Sequence, residues 1–324
     1  MKDQNIDINS LEIYSEMTRI RLIEEEIARN YSDQEMRCPV HLSVGQEATA
    51  VGACAALTRQ DVICSTHRSH AHYLAKGGSL QAMLGEIYGR TIGCCGGRGG
   101  SMHLFDQAVG VLASVPIVGS TIPLGVGAAL AFSRSQVDHV SLVFLGDGAT
   151  EEGVFHESLN FASVHNLNVI FFVENNLYSC YTPLNVRQPP RKIIEFGKAN
   201  GLTAEEIDGN DPTLVLAATR EMVEHARTGG GPSLIVANTY RWLEHCGPNY
   251  DDDLGYRDHS EVKEWIDRCP IKNMGEKLRR QGILNGELES AIRDKHQQEY
   301  QSVVEIVRSA PFPKAETAQD YVYA

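Results

Sequence analysis

Long apolar runs are missing from this sequence. None reaches the roughly 18 residues that a membrane-spanning helix requires, so a soluble protein with no membrane partner is expected. Positive charge is scarce as well: 29 Lys and Arg stand against 42 Asp and Glu, a formal net charge of −13. Phosphate neutralisation supplies most of the affinity for nucleic acid, so a chain without a basic excess is not expected to bind it. The opening residues, Met1-Lys2-Asp3-Gln4-Asn5-Ile6-Asp7, lack the charged-then-apolar layout of a secretory signal and the Arg-rich, acid-poor character of a transit peptide. That sets a cytoplasmic expectation. The eight cysteines contain no Cys-x-x-Cys pair and read as reduced thiols of a reducing compartment. Internal repeats and Pro- or Ser-rich linkers are absent too, so nothing cuts the chain in two.

What is present is globular. The chain has 324 residues, 42% of them hydrophobic, enough to bury about three quarters of its unfolded surface. Asn9 with Glu12 three residues on suggests a capped helix start, and Ile13, Met17, Ile20, Ile23 and Ile27 follow at helical spacing. Glu24-Glu25-Glu26 on that helix reads as a solvated face. Further helices are expected over about 46–57 and 79–89, and the glycine-rich segment 93–100 cannot hold regular structure. From Ile122 onward the pattern becomes βα alternation. A tightly packed helix covers 124–131, and buried strands cover 140–145, 168–173 and 233–237. Helices start near 151 and at Pro212, the latter capped by Asp211 and running to about 227. This predicts an α/β fold, a doubly wound, mostly parallel sheet with helices on both faces. Residues 1–270 are expected to form its main domain, with an N-terminal helical segment, and 271–324 a helical tail.

Two strand ends carry unusual residues. Gly146-Asp147-Gly148-Ala149 leaves one strand as a helix begins, with Thr150 as its expected cap; this sets a hard oxygen ligand beside backbone N–H groups. A Mg²⁺-bridged diphosphate needs that combination. The next strand ends in Glu174-Asn175-Asn176, whose amide oxygens suit the same ion. Either motif alone is an ordinary turn. Together, with 26 residues between Gly148 and Asn175, they are far more specific and resemble the thiamine-diphosphate signature.

The resemblance extends to His41-Leu42-Ser43-Val44-Gly45-Gln46-Glu47, Thr66-His67-Arg68-Ser69-His70, Gly99-Gly100-Ser101-Met102-His103, Ile117-Val118-Gly119-Ser120-Thr121 and Thr239-Tyr240-Arg241-Trp242. Over about residues 10–270 the chain resembles the alpha subunit of thiamine-diphosphate-dependent 2-oxo acid dehydrogenases of pyruvate, branched-chain or acetoin type. That resemblance implies Asp147, the Asn176 side chain and the Tyr178 carbonyl as Mg²⁺ ligands. It implies Gly148, Ala149 and Arg68 at the diphosphate, with His67 replacing a tyrosine common in relatives. It implies backbone contacts from Val118 and from Pro116, where relatives carry glycine. His41, His103 and His245 match positions near the reactive carbon, and His245 also touches the cofactor.

The same resemblance implies a separate beta subunit that supplies the pyrimidine-activating glutamate, in an assembly of two alpha and two beta chains. Beyond residue 237 only about 87 residues remain, too few for such a domain here. The implied acceptor is a lipoylated acyltransferase. The alternative is a carboligase or acyl transferase without lipoyl chemistry, suggested by the unusual segment 243–256 and by His245-Cys246 where relatives carry His-Ser. His67, His70 and His72 lack the Cys or carboxylate spacing of a zinc site. Adjacent Cys94 and Cys95 read as ordinary buried thiols rather than a redox pair.

Overall fold

The computed structural model describes residues 2–320, with side chains from residue 10 onward. Eight strands occur among them: β1 (Val62–Ser65), β2 (Val111–Ser114), β3 (Ser141–Gly146), β4 (Val169–Asn175), β5 (Tyr178–Ser179), β6 (Thr182–Pro183), β7 (Thr203–Asp208) and β8 (Ser233–Asn238). Six form one parallel sheet in the order β2-β1-β3-β4-β8-β7, while β5 and β6 make a minimal antiparallel hairpin. The α/β doubly wound expectation is met.

Side-chain alternation explains why the central strands read as unbroken apolar runs. Leu142, Phe144, Ile170 and Phe172 enter the core that includes the first helix. Val143, Leu145, Phe171 and Val173 enter a second core with Ile122, Val126, Phe155 and Leu159 on the opposite face. The helix Thr121–Ser135 lies so close that a Cβ on Gly125 would stand 2.2 Å from Val143 Cγ2. Three strands of the main sheet escaped the sequence reading, as did the hairpin strands β5 and β6. β1 and β2 have only four residues each, and β7 is an edge strand of mostly polar residues, so none shows the continuous apolar run of a buried strand.

Three local expectations are corrected. The first helix spans Lys2–Asn30, so Asn9 lies inside it; no Gly or Pro between 2 and 9 stops it earlier. Thr150 caps no helix. Residues Asp147–Glu151 form a 3₁₀ turn in which Thr150 Oγ1 donates to the Asp147 carbonyl, and the α-helix begins only at Gly153. The triple-glutamate face is not uniformly solvated, because Glu24 is 0% exposed and Glu26 is buried.

Glu24 has partners that sequence spacing does not show. One oxygen accepts the Ser43 N–H at 3.0 Å and the other meets His70 Nδ1 at 2.8 Å. A carboxylate only accepts, so Nδ1 carries the proton and His70 Nε2 takes the Ser101 hydroxyl, 2.7 Å away. One turn earlier, Arg21 forks onto Glu47 at 2.6 and 2.8 Å and covers the Trp242 ring at 4.1 Å. Glu47 also holds the N–H of Gly45, whose φ is +100° and where an added Cβ would stand 2.5 Å from the Tyr240 carbonyl oxygen, so no side chain fits. The first helix therefore clamps the segments around 41–47, 68–72 and 101 against the sheet. The helices Pro270–Arg280 and Gly286–Ser309 cover its outer side, sharing its core through Leu278, Ile292, Tyr300 and Val304.

Removing Glu24 leaves a buried imidazole and a buried N–H unpartnered. Glu24→Ala should destabilise the fold by about 3–5 kcal/mol, against about 0.5 kcal/mol or less for the exposed Glu12→Ala. Urea unfolding of the two variants measures the difference, and equal midpoints would contradict the clamp.

Candidate active site

The carboxyl ends of β1, β2, β3 and β4 open into one cleft of about 950 Å³. It lies where the chain switches direction across the sheet, between β1 and β3, the usual ligand crevice of such sheets. His41, His67, Arg68, Pro116, Val118, Asp147, Gly148, Ala149, Asn176, Tyr178 and His245 all line it. Residues from six separate stretches of sequence thus meet in one place. His103 does not line the cleft. Its Nδ1 donates to the Gly99 carbonyl at 2.6 Å, folding the ring back onto its own loop.

Three polar groups converge at the ends of β3 and β4. The Asn176 side-chain oxygen position stands 3.3 Å from Asp147 Oδ1 and 2.9 Å from the Tyr178 carbonyl. Neither of those two oxygens can donate to it. The amide satisfies this geometry only by presenting its NH₂ there, or by sharing a cation among the three oxygens. Burial raises the Asp147 carboxyl above its ordinary value, and Arg187, paired with both Asp147 and Glu151, works against that rise. Gly148 leaves room for its neighbour, since a Cβ there would come within 2.7 Å of Ser179 Oγ.

The opposite wall is cationic. Arg68 is 4% exposed and donates only to backbone carbonyls, Leu42 at 2.6 Å and His245 at 3.1 Å. Among the described residues no carboxylate lies within ion-pair distance of it. Burial pulls its guanidinium down to about 10, and Arg241 pushes the same way. At neutral pH it remains a buried cation facing a cleft, which suits an anionic ligand.

Between these walls sit His41, His67 and His245, with ring centroids 4.7–5.2 Å apart. Burial, then repulsion from Arg68, lowers His41 and His245 to about 3 and His67 well below its ordinary value. All three are neutral imidazoles at pH 7. His41 Nδ1 is buried with no hydrogen-bond partner among the described residues. His70 and His72 take no part in this trio. His70 belongs to the Glu24 clamp; His72 stacks on Phe144 at 3.8 Å, its Nδ1 2.8 Å from Ser65 Oγ and its Nε2 3.3 Å from Glu174.

Sequence reasoning missed two cleft groups, Gln46 and Glu174, and the arginine that pairs with a cleft carboxylate. Arg187 lies in a short helix, Leu184–Arg187, where no motif marks it. Gln46 sits in a recognised motif, yet only the fold shows its Oε1 facing the Asn176 amide at 3.4 Å. Glu174 precedes the two asparagines and was assigned nothing. Burial would raise its carboxyl, but His72 and Thr49 outweigh that and hold it below the usual value, so it contributes fixed negative charge.

The sequence model described as the dehydrogenase E1 component matches residues 15–316. Over 236 residues, 73% of this chain and 71% of the relative, it is 42% identical to the alpha subunit of acetoin:2,6-dichlorophenolindophenol oxidoreductase from Bacillus subtilis. The protein of the same name from Cupriavidus necator is 35% identical over 97% of this chain and 93% of its own length. The chloroplastic pyruvate dehydrogenase E1 component subunit alpha-3 of Arabidopsis thaliana is 33% identical, over 97% of this chain and 74% of the relative.

The histidines carry a pH consequence. Their folded values lie below the unfolded 6.5, so between about 6.5 and 3 the unfolded chain binds more protons and stability falls as pH falls. His41→Gln should flatten that slope. Urea midpoints at pH 7 and pH 5 are expected to differ less in the variant than in the parent, and an unchanged difference would contradict the buried neutral His41.

Proposed function

The chain belongs to the dehydrogenase E1 component family, and from that premise we propose how its cleft works. The family makes it a subunit of a thiamine-diphosphate-dependent oxidoreductase. In our reading it is the alpha subunit of a 2-oxo acid or acetoin dehydrogenase component that decarboxylates or cleaves its substrate and passes the acyl unit to a lipoyl acceptor.

One observation carries the cofactor assignment: the convergence of Asp147 Oδ1, the Asn176 side-chain oxygen position and the Tyr178 carbonyl at 2.9–3.3 Å. Ligands about 2.1 Å from an octahedral Mg²⁺ and adjacent around it lie about 3 Å apart, so the spacing suits that ion. We assign these three atoms to Mg²⁺. The diphosphate falls to Arg68, His67, Gly148 and Ala149, with Arg68 gaining the anion it lacks. Pro116 and Val118 offer backbone polar groups at the far rim. Thiamine diphosphate, when bound, supplies an electron sink for the carbanion that bond cleavage leaves.

The histidines do the local work. Being neutral at pH 7, His41 and His245 each have a ring nitrogen that accepts a proton or hydrogen bond, and the buried Nδ1 of His41 is held ready for one. His103, turned onto Gly99, takes no part in this assignment. The rim of the cleft is apolar and exposed at Ile117 and Val118. That edge suits a beta subunit closing the site and bringing the pyrimidine-activating glutamate, in a two-alpha, two-beta assembly working in the cytoplasm.

Two measurements test the reading. In the assembled enzyme, Asp147→Ala should weaken Mg²⁺-dependent binding of thiamine diphosphate by tenfold or more, about 1.4 kcal/mol. Calorimetry showing unchanged affinity removes the metal assignment. Separately, 2-oxo acid or acetoin consumption should require the beta subunit and a lipoylated acceptor for full turnover. Equal turnover with an aldehyde and no lipoyl acceptor would favour the carboligase alternative.

A further inference from the structure

Outside the cleft wall, the loop 93–100 places two adjacent thiols together. The Sγ atoms of Cys94 and Cys95 and a carboxylate oxygen of Glu86 all lie within 4.8 Å of one another. Glu86 is fully engaged: it accepts the N–H groups of Cys95 at 2.8 Å, Gly97 at 2.9 Å, Gly99 at 2.5 Å and Gly100 at 3.1 Å. With four donors upon it, the carboxylate has no lone pair left for a metal ion, and two sulfurs alone make a poor metal site. The cluster is a dithiol on a carboxylate-pinned loop.

Both thiols point at one acceptor, the His103 carbonyl, Cys95 at 3.0 Å and Cys94 at 3.9 Å. They are half-buried and within reach of a small solute, whereas Cys54 and Cys64 are buried. Glycines flank the pair, and Gly96 and Gly97 already use φ of +66° and +75°. At Gly96, which follows the pair, an added Cβ would meet only the end of the Arg98 side chain, so the backbone beside Cys95 is uncrowded.

We propose that Cys94 and Cys95 form a hydroperoxide-reactive pair that closes to a disulfide between adjacent residues. The two sulfurs are not equivalent. Interaction with Cys94 lowers Cys95 below the ordinary thiol value, against burial and the Glu86 carboxylate, while Cys94 itself is raised. Cys95 as thiolate attacks a peroxide oxygen; the O–O bond breaks, hydroxide leaves, and Cys95 becomes a sulfenic acid. Cys94 sulfur then attacks Cys95 sulfur and displaces its hydroxyl, which departs as water with the Cys94 proton. Two thiols are oxidised to one disulfide, and one hydrogen peroxide is reduced to two waters. Ring closure moves both sulfurs beside the His103 carbonyl, next to Met102 on the cleft wall. The proposal stands on the loop geometry and is independent of the cofactor assignment.

The test treats the full-length protein, assembled with its partner subunit, with hydrogen peroxide at neutral pH, followed by iodoacetamide, trypsin and mass spectrometry. Cleavage after Arg90 and Arg98 isolates both cysteines on one peptide. It should appear two hydrogens lighter, resist alkylation, and regain both alkylation sites after dithiothreitol. In Cys94→Ala the reaction should stop at Cys95, trapped there by dimedone. Two alkylated cysteines on that peptide, at doses that oxidise the exposed Cys180 or Cys246, would overturn the proposal. So would a cross-link from it to the peptide carrying Cys38.

Discussion

The arrangement rests on one buried carboxylate. Glu24, reaching in from the first helix, joins the Ser43 N–H, the His70 ring and, through that ring, the Ser101 hydroxyl. Each of those groups belongs to a different segment that reaches the cleft: His41 precedes Ser43, His67 and Arg68 precede His70, and Met102 follows Ser101. A fully satisfied polar chain in a low-dielectric interior holds its members in one geometry, because any slip leaves a buried group unpaired. Apolar packing alone would let these loops settle in several ways. The clamp removes that freedom, and the Arg21–Glu47 fork one turn away does the same for Gly45 and Gln46.

The cleft itself is divided by charge. One side is Asp147 with the Asn176 amide and the Tyr178 carbonyl, the other Arg68 with Arg241 acting on it, and uncharged histidines lie between. The histidines are neutral first because they are buried, and the Arg68 cation extends the lowering. A ring that stays deprotonated at pH 7 accepts protons, so the cationic wall also contributes to the chemistry of its neighbours. Changing Arg68 would therefore disturb more than ligand affinity.

Legibility from sequence followed the physics of each element. β3 and β4 were readable because burial on both faces demands unbroken apolar runs, and the Asp211-Pro212 helix start because its cap is local, Asp211 accepting the Thr213 and Leu214 N–H groups. β7 was hidden because an edge strand needs no such run. Asp147 and Asn176 stood out by motif, whereas Arg187 did not, since a guanidinium that reaches a carboxylate across a loop leaves no spacing signature. Glu24 misled for the opposite reason: three consecutive glutamates look solvated, yet helical geometry turns the first inward and leaves the second exposed. What a residue touches across the fold was the part the sequence withheld.

The two charged walls differ in one further respect. Asp147 already has a counter-charge in Arg187, while Arg68 has none within ion-pair reach among the described residues. A metal ion alone would displace a guanidinium from a buried carboxylate, trading one favourable contact for another and crowding positive charge between Arg187 and Arg68. An anion meeting Arg68 faces no such exchange; it relieves an existing electrostatic cost. Metal and anion arriving together satisfy both walls, since the anion offsets the charge that the metal adds. On the proposed assignment, the cleft would favour the pair over either member, which is the thermodynamic form of a site for a metal–diphosphate unit.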